Sequence, residues 1–189
     1  MELAVFGGSF DPVHNGHVAV ADVVQAQLKP DLLLWVPAGQ APHKLEVQPI
    51  PGEIRCELVA RLIADRPGEQ VYYGEVERPG PSYTVETLEQ LKLDYPAANL
   101  HLVLGGDSQE HLPSWRRLER IKELTSFVFV PRRDWEQVSW DGGGRMLSME
   151  LCDVDATSLR MRLQAGEDCA EYLPAVVSRE IRQRGLYQS

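Results

Sequence analysis

The chain has 189 residues, 43% of them hydrophobic and 25% charged. It is long enough to bury a core without disulfide or metal staples, and it is read as one domain over residues 1–189. Its formal net charge of −9 argues against a non-specific nucleic-acid binder, which needs a dense basic face to release counterions. No apolar run approaches the ~20 residues that span a bilayer, and the first residues lack the basic-then-apolar pattern of a signal peptide.

Cys56, Cys152 and Cys169 are scattered, odd in number and without metal-type pairing. Reduced thiols in a cytoplasmic location are therefore expected. Short apolar runs alternate with amphipathic stretches along the chain. Strands are expected at residues 3–6, 32–36, 71–74, 100–104 and 127–130, with a weaker one at 147–151. Helices are expected at residues 17–28, 52–65, 85–93 and 115–124, and a small C-terminal helical portion at 158–164 and 175–184. Apolar strands alternating with helices predict an α/β fold with a parallel sheet covered on both faces. In such sheets ligands bind beyond the carboxyl ends of the strands.

Four segments with unusual chemistry follow expected strands: 7–17, 37–44, 105–108 and 131–133. After the first strand comes Gly7-Gly8-Ser9-Phe10-Asp11-Pro12-Val13-His14-Asn15-Gly16-His17. A glycine-rich turn running into a helix directs backbone N–H groups and the positive end of the helix dipole at one place, which suits phosphate. His14 and His17 can ligate zinc or donate to phosphate oxygens. No Glu stands beside them in a zincin arrangement and no thiol is near in sequence, so phosphate is preferred. After the second strand, the proline-stiffened segment 37–44 ends in Pro42-His43-Lys44. Lys44 is either a solvated loop lysine or a phosphate partner.

Pro81-Ser82-Tyr83-Thr84 resembles a helix start, where an N-cap and an acid-binding site are compatible readings. Gly105-Gly106-Asp107 follows the fourth strand and is either a capped turn or a ribose contact. Trp115 is either core or a stacking face for a heteroaromatic ring. Arg132 follows the fifth strand. Asp155 or Thr157 would cap a helix whose first turn carries Arg160, either a surface residue or an anion clamp. Residues 46–52 and 134–145 read as surface loops.

These segments resemble the nucleotidyltransferase superfamily that carries His-x-Gly-His, here His14-Asn15-Gly16-His17. The closer resemblance is to the bacterial nicotinate-mononucleotide adenylyltransferases. Their Gly-Gly-Ser/Thr-Phe-Asp-Pro-x-His-x-Gly-His pattern stands complete, with Pro42-His43-Lys44, Pro81-Ser82-Tyr83-Thr84, Gly105-x-Asp107, Leu112-Pro113-Ser114-Trp115 and Gly185-Leu186-Tyr187 in order. One departure stands out. The family pattern Ile-Ser-Ser-Thr-x-Ile-Arg reads Val154-Asp155-Ala156-Thr157-Ser158-Leu159-Arg160 here. Asp155 is accordingly expected to face away from phosphate and cap its helix.

The resemblance implies a Rossmann-like doubly wound parallel sheet, the nucleotidyltransferase fold. It also implies adenylyl transfer from ATP to nicotinate mononucleotide, giving nicotinate adenine dinucleotide and pyrophosphate in NAD biosynthesis. The catalytic residues it implies are His14, His17, Lys44 and Arg160. Gly7, Gly8, Ser9, Phe10, His17, Gly105, Asp107, Thr157 and Arg160 would bind ATP. Ser9, Lys44, Thr84, Asp107, Trp115 and Arg132 would bind the mononucleotide. Mg²⁺ would be held through substrate phosphates rather than by a protein metal site. ATP and nicotinate mononucleotide are the expected partners, with no nucleic acid and no membrane. The rivals are a nucleotide-binding sensor on the same scaffold and an adenylyltransferase for nicotinamide mononucleotide or another phosphate acceptor.

Overall fold

A computed structural model describes residues 1–40, 50–106, 108–131, 143–150 and 154–188. Its centre is a sheet of β1 (Glu2–Gly8), β2 (Leu32–Pro37), β3 (Glu69–Val71), β4 (Asn99–Gly105), β5 (Thr125–Val130) and β6 (Arg145–Met146). The spatial order is β3-β2-β1-β4-β5-β6, and every pairing is parallel. The helices are α1 (Asn15–Gln27), α2 (Gly52–Leu62), α3 (Gly74–Glu77), α4 (Thr84–Asp94), α5 (Ser108–His111), α6 (Leu118–Leu124), α7 (Ala156–Gln164) and α8 (Ala175–Arg184).

The strands read as unbroken apolar runs because both faces are covered. Side chains alternate across a strand, so Ala4, Phe6, Leu33, Trp35, Val103 and Val128 fall on one side. There they meet α1 through Ala21 and Val24, α2 through Leu58 and Val59, and the C-terminal helices through Leu159, Val177 and Ile181. Leu3, Val5, Leu34, Leu102, Phe127 and Phe129 fall on the other, against Leu88 and Leu91 of α4 and Ile121 of α6. The fold is a doubly wound α/β sheet with its C-terminal helices added to the α1–α2 layer.

Three expected elements shift. The third strand is Glu69–Val71, not 71–74. Its polar start is paired rather than exposed: Trp35 Nε1 donates to Glu69 Oε2 at 2.8 Å and Arg66 Nε to Glu69 Oε1 at 2.9 Å. The helix expected from Trp115 begins at Leu118, because Leu112–Ser114 forms a 3-10 turn, Trp115 is extended, and Arg117 takes a left-handed backbone with φ 57°. The last strand is Arg145–Met146, a few residues before the expected 147–151. Its ladder continues through Leu147 N–H to Phe129 O at 2.8 Å.

Candidate active site

The strand order reverses at β1, which has β2 on one side and β4 on the other. Their loops therefore part at the carboxyl ends and open a crevice, the place where doubly wound sheets bind ligands. One wall is the loop between β1 and α1. Phe10 turns it with φ 48° and drops its ring into the core, where it is 1% exposed. That ring sits 5.3 Å from the Phe6 and Trp35 centroids and 4.9 Å, edge on, from that of His17. The side chain is thus a plug beneath the loop, and any contact of Phe10 with nucleotide falls to its backbone. A Cβ on Gly8 would meet the Phe10 ring at 2.9 Å, whereas one on Gly7 would meet nothing within 4 Å. The strand end accordingly stays open toward a ligand.

His14 is the N-cap of α1, in extended backbone geometry. Its ring lies 3.7 Å from that of His17, tilted by 32°. The His14 backbone N–H donates to His17 Nδ1 at 3.2 Å. With Nδ1 accepting, the proton of the neutral His17 imidazole sits on Nε2, which makes that nitrogen a donor. Gly16 keeps the space between them tight: a Cβ there would come to 3.0 Å from the His14 ring and from Val154.

The second wall is the start of α7. Arg160 Nη1 donates to Asp11 O at 2.8 Å, and Nη2 to Thr157 Oγ1 at 3.2 Å. Arg160 Nη1 also lies 3.8 Å from the Asp11 carboxylate. Buried Asp11 accepts from the Tyr187 hydroxyl at 2.7 Å, and burial pushes that phenol above its ordinary pKa. Asp155 turns onto its own helix as expected. Its Oδ1 accepts from Ser158 N at 2.9 Å and its Oδ2 from Ser158 Oγ at 2.6 Å, bonds that hold its carboxyl below the ordinary range.

On the β2 side, Ser82 N–H donates to Gln40 O at 2.9 Å. Gly39 approaches α3 so closely that a Cβ would collide with Glu75 O. Thr87 Oγ1 donates to buried Glu75 at 2.7 Å, and desolvation raises that carboxyl. These contacts dock the β2 loop on the segment leading into α4, whose first residue is Thr84. Tyr83 precedes it, and its ring lies under the Arg116 guanidinium at 4.4 Å. Trp115, next in sequence to Arg116, is partly buried against the second core, as is Tyr83. Gly105 ends β4 opposite Val130 of β5.

The structure therefore brings Gly7, Gly8, Ser9, Phe10, His14, His17, Thr157 and Arg160 together around one loop, and sets Thr84 and Trp115 on the α4–β4 side. Lys44, Asp107 and Arg132 lie outside the described residues. Sequence reading missed Arg55, Glu75 and the Asp11–Tyr187 bond. Only Arg55 carried a signal: it falls among Cys56, Leu58 and Val59 on the buried stripe of α2, where a surface arginine is out of place.

A crevice at the switch point of a Rossmann-like sheet, lined by this histidine pair, defines a nucleotidyltransferase. The cytidylyltransferase-like family model matches residues 5–173. The chain is 38% identical to a probable nicotinate-nucleotide adenylyltransferase of Gloeobacter violaceus, over 98% of this chain and 95% of that one. It is 34% identical to a probable nicotinate-nucleotide adenylyltransferase of Thermus thermophilus, over the whole of both. The chain belongs to the nicotinate-nucleotide adenylyltransferase family within the cytidylyltransferase-like group. The fold matches that of Plasmodium falciparum nicotinic acid mononucleotide adenylyltransferase complexed with NaAD, with a TM-score of 0.78, 16% identity and coverage of 98% and 97%.

Proposed function

We propose that this protein transfers the adenylyl group of ATP to nicotinate mononucleotide, as one domain working in the cytoplasm and in NAD biosynthesis. A phosphate oxygen of the mononucleotide attacks the α-phosphorus of ATP. The bond from that phosphorus to the bridging oxygen breaks, and pyrophosphate leaves with the electron pair. Nicotinate adenine dinucleotide is the other product. The attacking phosphate has a second pKa of about 6 and is largely ionised at neutral pH, so no protein base is required.

The observation that carries this reading is the donor set of the crevice. His14 and His17 stand at the start of α1, and Arg160 is held against the same loop by Asp11 and Thr157. Donors already in place where negative charge builds up stabilise the transition state with little reorganisation. His17 Nε2–H and the Gly7–Gly8–Ser9 backbone serve the triphosphate, with Arg160 and Lys44 adding charge. Mg²⁺, if carried by the ATP phosphates, would supply charge neutralisation there, while His17, Arg160 and Lys44 hold the phosphate oxygens. The N–H donors of the loop fit phosphate oxygens and offer no lone pair to a cation, so such an ion would travel with its substrate.

Thr84 and the first N–H groups of α4 receive the nicotinate carboxylate, and Trp115 stacks on the pyridine ring. Asp107 accepts from ribose hydroxyls, and Arg132 supports the mononucleotide phosphate. An amide in place of the carboxylate would set NH₂ against N–H, donor to donor. The test is pyrophosphate release on mixing the protein with ATP, Mg²⁺ and either nicotinate or nicotinamide mononucleotide. Release with the acid, at a kcat/KM at least about tenfold above the amide, supports the reading. No release with the acid, or equal use of both, overturns it.

A further inference from the structure

Arg55 lies in the first turns of α2, is 2% exposed, and makes its hydrogen bonds to neither histidine. Its guanidinium reaches three separate segments. Nη1 donates to Ser9 O at 2.6 Å in the loop after β1. Nη2 donates to Ala38 O at 2.6 Å, with Gly39 O at 3.4 Å, after β2. Nε donates to Ile50 O at 3.1 Å just before α2. All these bonds go to backbone carbonyls, and no acidic side chain pairs with it among the described residues.

Burying a guanidinium without a carboxylate is costly unless its donors are well used. A planar fork of five N–H groups can span three carbonyl-bearing segments; an ammonium, whose donors sit at one point, cannot. The same segments are joined directly by Ala38 N–H donating to Gly8 O at 2.8 Å. The buried charge also lies behind the loop that faces the crevice, in surroundings that screen it weakly.

We propose that Arg55 is a positioning residue for adenylyl transfer. Its single guanidinium sets the spacing between the loop after β1 and the loop after β2, and supplies a fixed positive charge behind the triphosphate subsite. The inference rests on the adenylyl-transfer reading for its kinetic arm only. Arg55→Lys keeps charge and most of the stem, so it is the principal variant; Arg55→Ala opens space for added methylguanidinium.

Product formation by the unaltered protein tests the adenylyl-transfer reading first. With that activity present, R55K is expected to retain its fold by circular dichroism, lower kcat about tenfold or more and raise the KM for ATP, with a smaller change in the KM for the mononucleotide. R55A is expected to lose more, and millimolar methylguanidinium to restore it several-fold where equal urea or sodium chloride does not. Independently of any activity, hydrogen exchange at the Ala38 amide is expected to rise at least about tenfold in R55K relative to the unaltered protein. If R55A does not fold, R55K carries the test alone. R55K turnover within twofold of the unaltered protein, or unchanged Ala38 exchange, overturns the proposal, as does rescue that urea or salt matches.

Discussion

The two walls of the crevice are built on different physics. The loop after β1 is held from beneath: Phe10, Asp11, Val13 and His14 are each 2% exposed or less, a Cβ on Gly8 would press on the Phe10 ring at 2.9 Å, and one on Gly16 would crowd His14 and Val154 at 3.0 Å. The start of α7 is the reverse. Asp155 and Thr157 are exposed, and Arg160 is placed by two hydrogen bonds and a longer ion-pair contact. A packed wall tolerates little change in volume, whereas one hung on polar bonds accepts new residues that still cap the helix. That explains why the departure from the family pattern falls at Asp155 and Ala156 and not between Gly7 and His17.

Substitutions on each wall sharpen this contrast. His17→Ala removes a donor that the packed loop aims, and turnover is expected to fall by about 10²–10³-fold with far-ultraviolet circular dichroism unchanged. A fall smaller than tenfold would break the argument for the packed wall. Arg160→Met on the polar wall removes charge-assisted bonds and is expected to cost about 10–100-fold in kcat/KM for ATP, read in steady-state assays. Trp115→Ala lies on neither wall and is expected to raise the KM for the mononucleotide by up to about tenfold. A change confined to the KM for ATP contradicts its stacking role.

The bonds that brace each wall from behind or within are smaller effects. Tyr187→Phe takes one partner from the buried Asp11 carboxylate and is expected to cost about 1–3 kcal/mol of stability in urea unfolding. Asp155→Ala loses an N-cap and is expected to cost about 1 kcal/mol, or about 2–4 °C in melting temperature. Its pH dependence has a definite sign. The folded protein holds this carboxyl below its ordinary value of 3.8, so the advantage over the Ala variant is full above that pH. It is lost as pH falls through the folded value. An advantage that instead grows on acidification contradicts the capping geometry.

Local order made much of this legible. The alternation of apolar strands with helices determined the parallel sheet, because strands covered on both faces need continuous apolar runs. The spacing of His14, Gly16 and His17 determined the histidine pair at a helix start, because cap, helix and glycine contact lie within one turn. What depends on distant residues was not legible. Glu69 is buried at the start of a strand with a donor, Trp35, that stands 34 positions away. Trp115 left the expected helix because Arg117 adopts a left-handed backbone. Tyr187 reaches Asp11 across 176 positions, and Arg55 reaches Ser9 across 46. By itself the sequence determined the strand–loop–helix that suits phosphate and the family to which the chain belongs. Tertiary structure alone decided which buried polar groups brace that loop, because a buried donor or acceptor is satisfied by whatever the fold brings within about 3 Å, regardless of its distance along the chain.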